Sequence, residues 1–143
     1  MHPACLGDTQ YLVPDGLWYT KEHEWARVSG AGARVGITDY AAKTLNDIVY
    51  LTLPSIGKEV KQLTSFGTVE SIKAVSELYA PLTGTVTSVN QELSSHPELI
   101  NKSPYEQGWI VELRHTKLED EKRSLLSPKQ YQEFVRSLET AGH

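Results

Sequence analysis

A mainly β fold with short and C-terminal helices, the helices confined mainly to the C-terminal end, is predicted by two observations. Short β-forming runs separated by turn residues fill the middle of the chain, and a capped stripe of 3.6-residue period follows at Ser127. Residues 1–10 carry no periodicity and read as a flexible lead-in, which leaves residues 11–143 as one domain. Residues 11–18 alternate loosely around the turn-forming Pro14-Asp15-Gly16. From Trp25 to Ile37 the apolar positions Trp25, Val28, Val35 and Ile37 are interrupted by Ser29-Gly30-Ala31-Gly32, the pattern of a hairpin. Thr38 or Asp39 can then cap a two-turn helix through Ala41, Ala42 and Leu45.

The run 48–53 is dense in β formers and stops at Pro54, which lacks a ladder donor. Further runs at 66–72, 75–79 and 85–89 are each short, and so many short strands point to a barrel or a sandwich. Pro54-Ser55-Ile56-Gly57 recurs in kind as Pro81-Leu82-Thr83-Gly84, the trace of two related halves. Thr116-Lys117-Leu118-Glu119 has the capping-box pattern and is expected to open a helix that buries Leu118, Leu125 and Leu126, with the charges of 119–123 on its wet face. Ser127-Pro128-Lys129-Gln130 supplies a second box ahead of the stripe Tyr131, Phe134, Val135 and Leu138. These helices are expected to cover a sheet edge or barrel mouth.

Composition excludes several functions. Cys5 is the only cysteine and His2, His23, His96, His115 and His143 are scattered, so one chain builds neither a disulfide framework nor a cysteine-rich metal site. The formal charge is -4, from 14 basic and 18 acidic side chains, without a basic run for a phosphate backbone, and no nucleic-acid partner is expected. The opening residues have neither the apolar core of a secretory signal nor the arginine-rich character of a transit peptide. A cytoplasmic protein without a membrane partner is expected, a mature mitochondrial matrix protein being the alternative.

Glu70-Ser71-Ile72-Lys73-Ala74-Val75-Ser76-Glu77 sets one lysine between two β-like runs, where a tight reversal would lift its ammonium clear of the sheet. A lysine at a turn ordinarily does no more than keep a loop solvated. A covalent carrier asks for the same placement, an exposed amine on a rigid scaffold, with the attached group supplying the chemistry.

In six ordered blocks the chain closely resembles the glycine cleavage H-protein family, relatives of lipoyl and biotinyl carrier domains. The blocks are Tyr19-Thr20-Lys21-Glu22-His23-Glu24-Trp25, Val35-Gly36-Ile37-Thr38-Asp39-Tyr40-Ala41 and Val69-Glu70-Ser71-Ile72-Lys73-Ala74-Val75-Ser76. The others are Tyr79-Ala80-Pro81-Leu82-Thr83-Gly84, Pro97-Glu98-Leu99-Ile100-Asn101 and Ser103-Pro104-Tyr105-Glu106-Gln107-Gly108-Trp109. The resemblance implies a lipoyl-domain-like barrel-sandwich hybrid, a monomer with no catalytic site of its own, and lipoate covalently attached to Lys73 by a lipoate ligase or lipoyl transferase. Biotin is disfavoured, because biotinyl carriers flank their lysine with methionines and Lys73 has Ile72 and Ala74.

The family's role is to take the aminomethyl group of glycine from the P protein, a pyridoxal-phosphate decarboxylase, to the T protein, an aminomethyltransferase. The carrier is then presented to the L protein, dihydrolipoyl dehydrogenase, for reoxidation. A second role, donating lipoyl groups to other lipoate-dependent complexes, fits the same resemblance. It further implies that Glu24, Ile37 and Glu77, and with them His23, line a cleft for the carried group, while Gly108 and Trp109 fix a turn and plug the core. A carboxylate there would hold the charged amine. Asn46 replaces a family glycine, which is tolerable because asparagine visits left-handed geometry more readily than most residues, and Lys61-Gln62-Leu63-Thr64 lacks the glycine common in that turn, so local geometry is expected to differ there without touching Lys73.

Overall fold

A computed structural model describes residues 11–141. The expected lead-in at 1–10 lies outside the described residues, as do Cys5, His2 and His143. Two antiparallel sheets carry the chain. The larger is built from β1 (Trp18–Tyr19), β2 (Glu24–Ser29), β3 (Gly32–Ile37), β5 (Glu59–Val60), β8 (Gly84–Val89) and β9 (Val111–His115), in the order β1-β2-β3-β9-β8-β5. The smaller joins β4 (Ile48–Thr52), β6 (Ser65–Ser71) and β7 (Val75–Tyr79) in the order β4-β6-β7. Neither sheet closes on itself, and the helices pack around them. The main core draws on both sheets, with Val35, Ile37, Leu51, Phe66, Val69, Leu78, Val86 and Leu113 meeting in one buried cluster.

The predicted hairpin forms, with β2 and β3 in register from Glu24↔Ile37 to Ser29↔Gly32 and Gly30 at φ 60° in the reversal. Gly36 lies opposite Trp25, and a Cβ at Gly36 would come within 2.7 Å of the indole. That close approach seats Trp25 fully inside, where its Nε1 donates to the carbonyls of Ile37 at 2.9 Å and Pro104 at 3.1 Å. The short helix is α1 (Asp39–Leu45), capped by Thr38, whose Oγ1 accepts from Ala41 N. The repeated Pro/Gly segments lead into strands that pair with each other, as Gly57 N donates to Val86 O and Glu59 lies opposite Thr85.

At the C-terminus α5 (Pro128–Ala141) begins with the predicted reciprocal cap: Gln130 N donates to Ser127 Oγ, and Ser127 N to Gln130 Oε1. Tyr131 and Val135 are buried in a second, aromatic-rich cluster with Tyr19, Trp25 and Tyr105. Leu126 exchanges backbone bonds with Tyr19, so the extended segment leading into α5 pairs with the β1 edge.

Several expectations are corrected. The helix expected from Thr116 is one turn, α4 (Leu118–Glu121), followed by a single 3-10 turn, and Thr116 does not cap it. Thr116 N is drawn to Thr83 O instead, and the Glu121 carboxylate bonds the backbone N–H and hydroxyl of Thr83, so one of the charges assigned to a wet face is a tertiary anchor. Helices are not confined mainly to the C-terminal end, because α2 (Glu92–Ser95) and α3 (Leu99–Lys102) sit mid-chain between β8 and β9. The runs 66–72 and 75–79 pair with each other in the smaller sheet, and 85–89 joins the larger. As expected, Gly108 fixes a turn, since a Cβ there would meet the Ile100 Cα and Ser103 O at 2.8 Å. Trp109 is partly buried rather than a core plug, and the Arg34 guanidinium covers its ring.

Candidate functional site

The β6–β7 hairpin reverses over Ile72-Lys73-Ala74, and Ser71 makes that reversal rigid. Its backbone N–H donates to Ala74 O at 2.8 Å, while its Oγ accepts from Lys73 N at 3.2 Å and Ala74 N at 3.1 Å. Ser71 is buried although it stands next to the tip. A second anchor comes from outside the hairpin, as Ile72 N donates to Asp47 O at 3.0 Å. With the backbone held in this way, Lys73 projects into solvent, and none of the ion pairs among the described residues uses it. Large apolar side chains near the tip are exposed: Ile72 is 67% exposed, Val75 64% and, on the adjoining β4, Tyr50 61%. A register shift between Ile48 and Tyr50 accounts for part of this, because it turns both Val49 and Tyr50 outward.

Glu24 opens β2 and is 1% exposed. Its Oε1 accepts from Thr20 Oγ1 at 2.5 Å and its Oε2 from Tyr79 N at 3.0 Å, so a carboxylate of the larger sheet is fastened to β7 of the smaller. Burial pushes its pKa up from 4.5 to about 7, while the bonds from Thr20 and Tyr79 pull the other way. No lysine, arginine or histidine among the described residues forms an ion pair with it.

Glu77 lies two residues before Tyr79 on β7 and is exposed, its Oε1 accepting from Ser65 Oγ at 2.5 Å. Both acidic side chains therefore reach β7, but only Glu77 is open to solvent. Ile37 is 3% exposed and belongs to the main core, opposite Glu24 in register, rather than to an open wall.

His23, at φ 78°, packs among Tyr40, Tyr131 and Phe134, with its Nδ1 2.8 Å from the Tyr131 hydroxyl. Burial lowers its pKa to about 4. Its position is thus one of packing and hydrogen bonding behind Glu24. Sequence reasoning passed over Ser71 and Thr20; the signal for Ser71 was a small hydroxyl residue at the mouth of a reversal. Among the described residues no group of acidic, histidine or cysteine side chains is arranged to hold a metal ion, and no helix is long and apolar enough to cross a membrane.

A lone exposed lysine on a clasped hairpin tip, above two small antiparallel sheets, defines a carrier domain rather than an enzyme with an enclosed active site. Residues 17–138 match the model of the glycine cleavage H-protein family, and the chain belongs to that family. It is 52% identical over 130 residues to a probable glycine cleavage system H protein of Pyrococcus abyssi, covering 90% of this chain and 96% of the relative. Identity to the glycine cleavage system H protein of Geobacillus kaustophilus is 50% over 123 residues, or 86% and 96% of the two chains. The crystal structure of a glycine cleavage system H protein from Mycobacterium marinum superposes with a TM-score of 0.76 at 36% identity, covering 83% of this chain and 95% of that one. Members of this family are non-catalytic carriers that shuttle the aminomethyl group of glycine, and this chain is one of them.

Proposed function

We propose that Lys73 is the residue that carries lipoate, in amide linkage, and that the two sheets form the barrel-sandwich hybrid of lipoyl carriers. The observation that carries this reading is the clasped tip: Ser71 and Asp47 fix the backbone on either side of an amine with no competing ion pair. When attached, lipoate supplies a disulfide that accepts and releases the one-carbon cargo. The chain supplies placement. A rigid tip with an exposed apolar collar presents Lys73 to a lipoate ligase or lipoyl transferase, and afterwards presents the arm in turn to the P, T and L proteins. Tethering turns successive encounters into steps at high effective concentration.

Glu24 is the group suited to the amine of the cargo. Its two oxygens are met by donors and by no cation, so a bound ammonium would supply the missing countercharge in a site of low dielectric. Because Glu24 is 1% exposed, the cargo reaches it only if the β7 contact moves. Glu77, exposed on β7, is a second carboxylate suited to the amine. Treatment with a lipoylating enzyme, followed by intact-mass measurement and peptide mapping, tests the attachment. One lipoyl group on the peptide containing Lys73 is the expected result, and lipoate on another lysine would overturn the assignment.

A further inference from the structure

We infer that Thr20 is a positioning residue for Glu24: its hydroxyl, locked by two backbone amides, fixes the carboxylate's orientation and holds it ready for the cationic amine. The inference rests on the reading that Glu24 receives that amine. A threonine hydroxyl has one proton and two acceptor lone pairs. Thr20 Oγ1 accepts from Glu22 N at 3.2 Å and from Glu24 N at 3.0 Å. With both acceptor directions occupied, the proton has one direction left, and Glu24 Oε1 stands there at 2.5 Å.

The turn itself is fixed. Thr20 N donates to Glu24 O at 3.0 Å and His23 N to Thr20 O at 3.1 Å, closing the connection from β1 to β2 around the hydroxyl. Thr20 is 2% exposed, so bulk water does not offer Glu24 an alternative donor. A hydroxyl that ordinarily rotates to suit its partner is thereby a one-way donor aimed at one oxygen.

The other groups near Glu24 do not do this work. Glu22 in the same turn and Glu77, two residues before Tyr79 on β7, are acidic; His23 is directed to Tyr131, and Tyr131 on α5 to His23 and Thr38. Thr20 and Tyr79 N–H are the donors from other residues that favour the ionised carboxylate, and Thr20 is the one a side-chain change can remove. These donors are neutral, and an incoming ammonium would add the positive charge they lack.

The test compares Thr20→Val, which keeps the shape but loses both the donor to Glu24 and the acceptor for Glu22 N and Glu24 N, with Thr20→Ser, which keeps both. The Glu24 carboxyl carbon is titrated by NMR in the unloaded protein. The midpoint should rise in Thr20→Val by about one pH unit, the tenfold change in ionisation that one lost charge-assisted hydrogen bond produces. Thr20→Ser should restore it.

In wild type, which needs no variant to fold, the Thr20 hydroxyl proton should be protected from exchange and should shift with the Glu24 midpoint. A freely exchanging hydroxyl, or the same midpoint in folded Thr20→Val, overturns the proposal. Ammonia release from carrier loaded with the P protein and glycine separates the two readings. Faster release in both Glu24→Gln and Thr20→Val, with Thr20→Ser like wild type, supports the proposal. Faster release in Glu24→Gln alone overturns the role of Thr20 and leaves that of Glu24, whereas unchanged release in Glu24→Gln overturns both.

Discussion

Two neighbouring buried groups, His23 and Glu24, should give this protein opposed pH dependences of stability that hide one another until one is removed. Burial raises Glu24 from 4.5 to about 7, so between those values the folded chain holds a proton that the unfolded chain has released. Its contribution is complete below pH 4.5 and is lost as pH rises through about 7, a change on the order of 3 kcal/mol at 1.36 kcal/mol per pH unit. His23 falls from 6.5 to about 4, so the unfolded chain is the one that binds the extra proton. Its contribution is complete above pH 6.5 and is lost as pH falls through about 4, by up to about 3 kcal/mol.

From pH 4.5 to 6.5 the two slopes cancel. Glu24→Gln leaves the His23 slope alone, and its stability relative to wild type should climb by on the order of 3 kcal/mol from pH 4.5 to 7.5. His23→Gln should drift the other way, gaining on wild type by on the order of 3 kcal/mol as pH falls from 6.5 to 4. Gln at position 24 turns one amide toward a donor, which adds an offset independent of pH, so the slope is the readout. Urea unfolding at fixed ionic strength across pH 4 to 8, taken as the difference from wild type, removes the titrations common to both chains. Differences that stay flat with pH would refute the burial argument for both groups.

Other expectations follow from single contacts. Ser71→Ala removes the acceptor for Lys73 N and Ala74 N, and should slow lipoylation of an otherwise folded protein several-fold, measured by intact mass against time; an unchanged rate would show that the clasp is dispensable. Leu63 adopts φ 65° without being glycine, so Leu63→Asn should stabilise by about 1 kcal/mol in thermal unfolding, and an unchanged or lower midpoint would count against strain there. Ser127→Ala should cost about 1 kcal/mol by removing the α5 cap, and an unchanged urea midpoint would contradict the reciprocal bond.

Elements fixed by neighbours in the chain were legible in the sequence. The α5 box, the Thr38 cap and the 24–37 hairpin each depend on residues within a few positions of one another, and each formed as read. The Thr116 segment fits the same capping-box class as the Ser127 one, yet Thr83 draws away both Thr116 N and Glu121, so long-range bonds override a local signal. β5 is two residues long and owes its strand geometry to β8, which no local pattern announces. β9 was readable, since Val111 and Leu113 point inward between Glu112 and Arg114, but its alternation follows directly on the Gly108-Trp109 turn and escaped notice.

Where glycine was expected, Asn46 has φ 66° and, within 61–64, Leu63 has φ 65°, so each turn takes a positive φ without glycine. At the site, the position of Lys73 was legible because a turn between β runs exposes what it carries. The direction of Glu24 was not, because only the second sheet brings Tyr79 N to its carboxylate.

The central claim, that the chain works through an arm on Lys73, meets its most direct test in glycine-dependent carbon dioxide release by a mixture of P, T and L proteins. The mixture is supplied with either lipoylated wild type or Lys73→Arg treated in the same way. Arginine keeps the positive charge and cannot form the amide, and an exposed tip residue contributes little to packing, so the variant should fold. Wild type should sustain turnover, with Lys73→Arg reduced to the level of a mixture lacking the carrier. Undiminished turnover by folded Lys73→Arg would contradict the account.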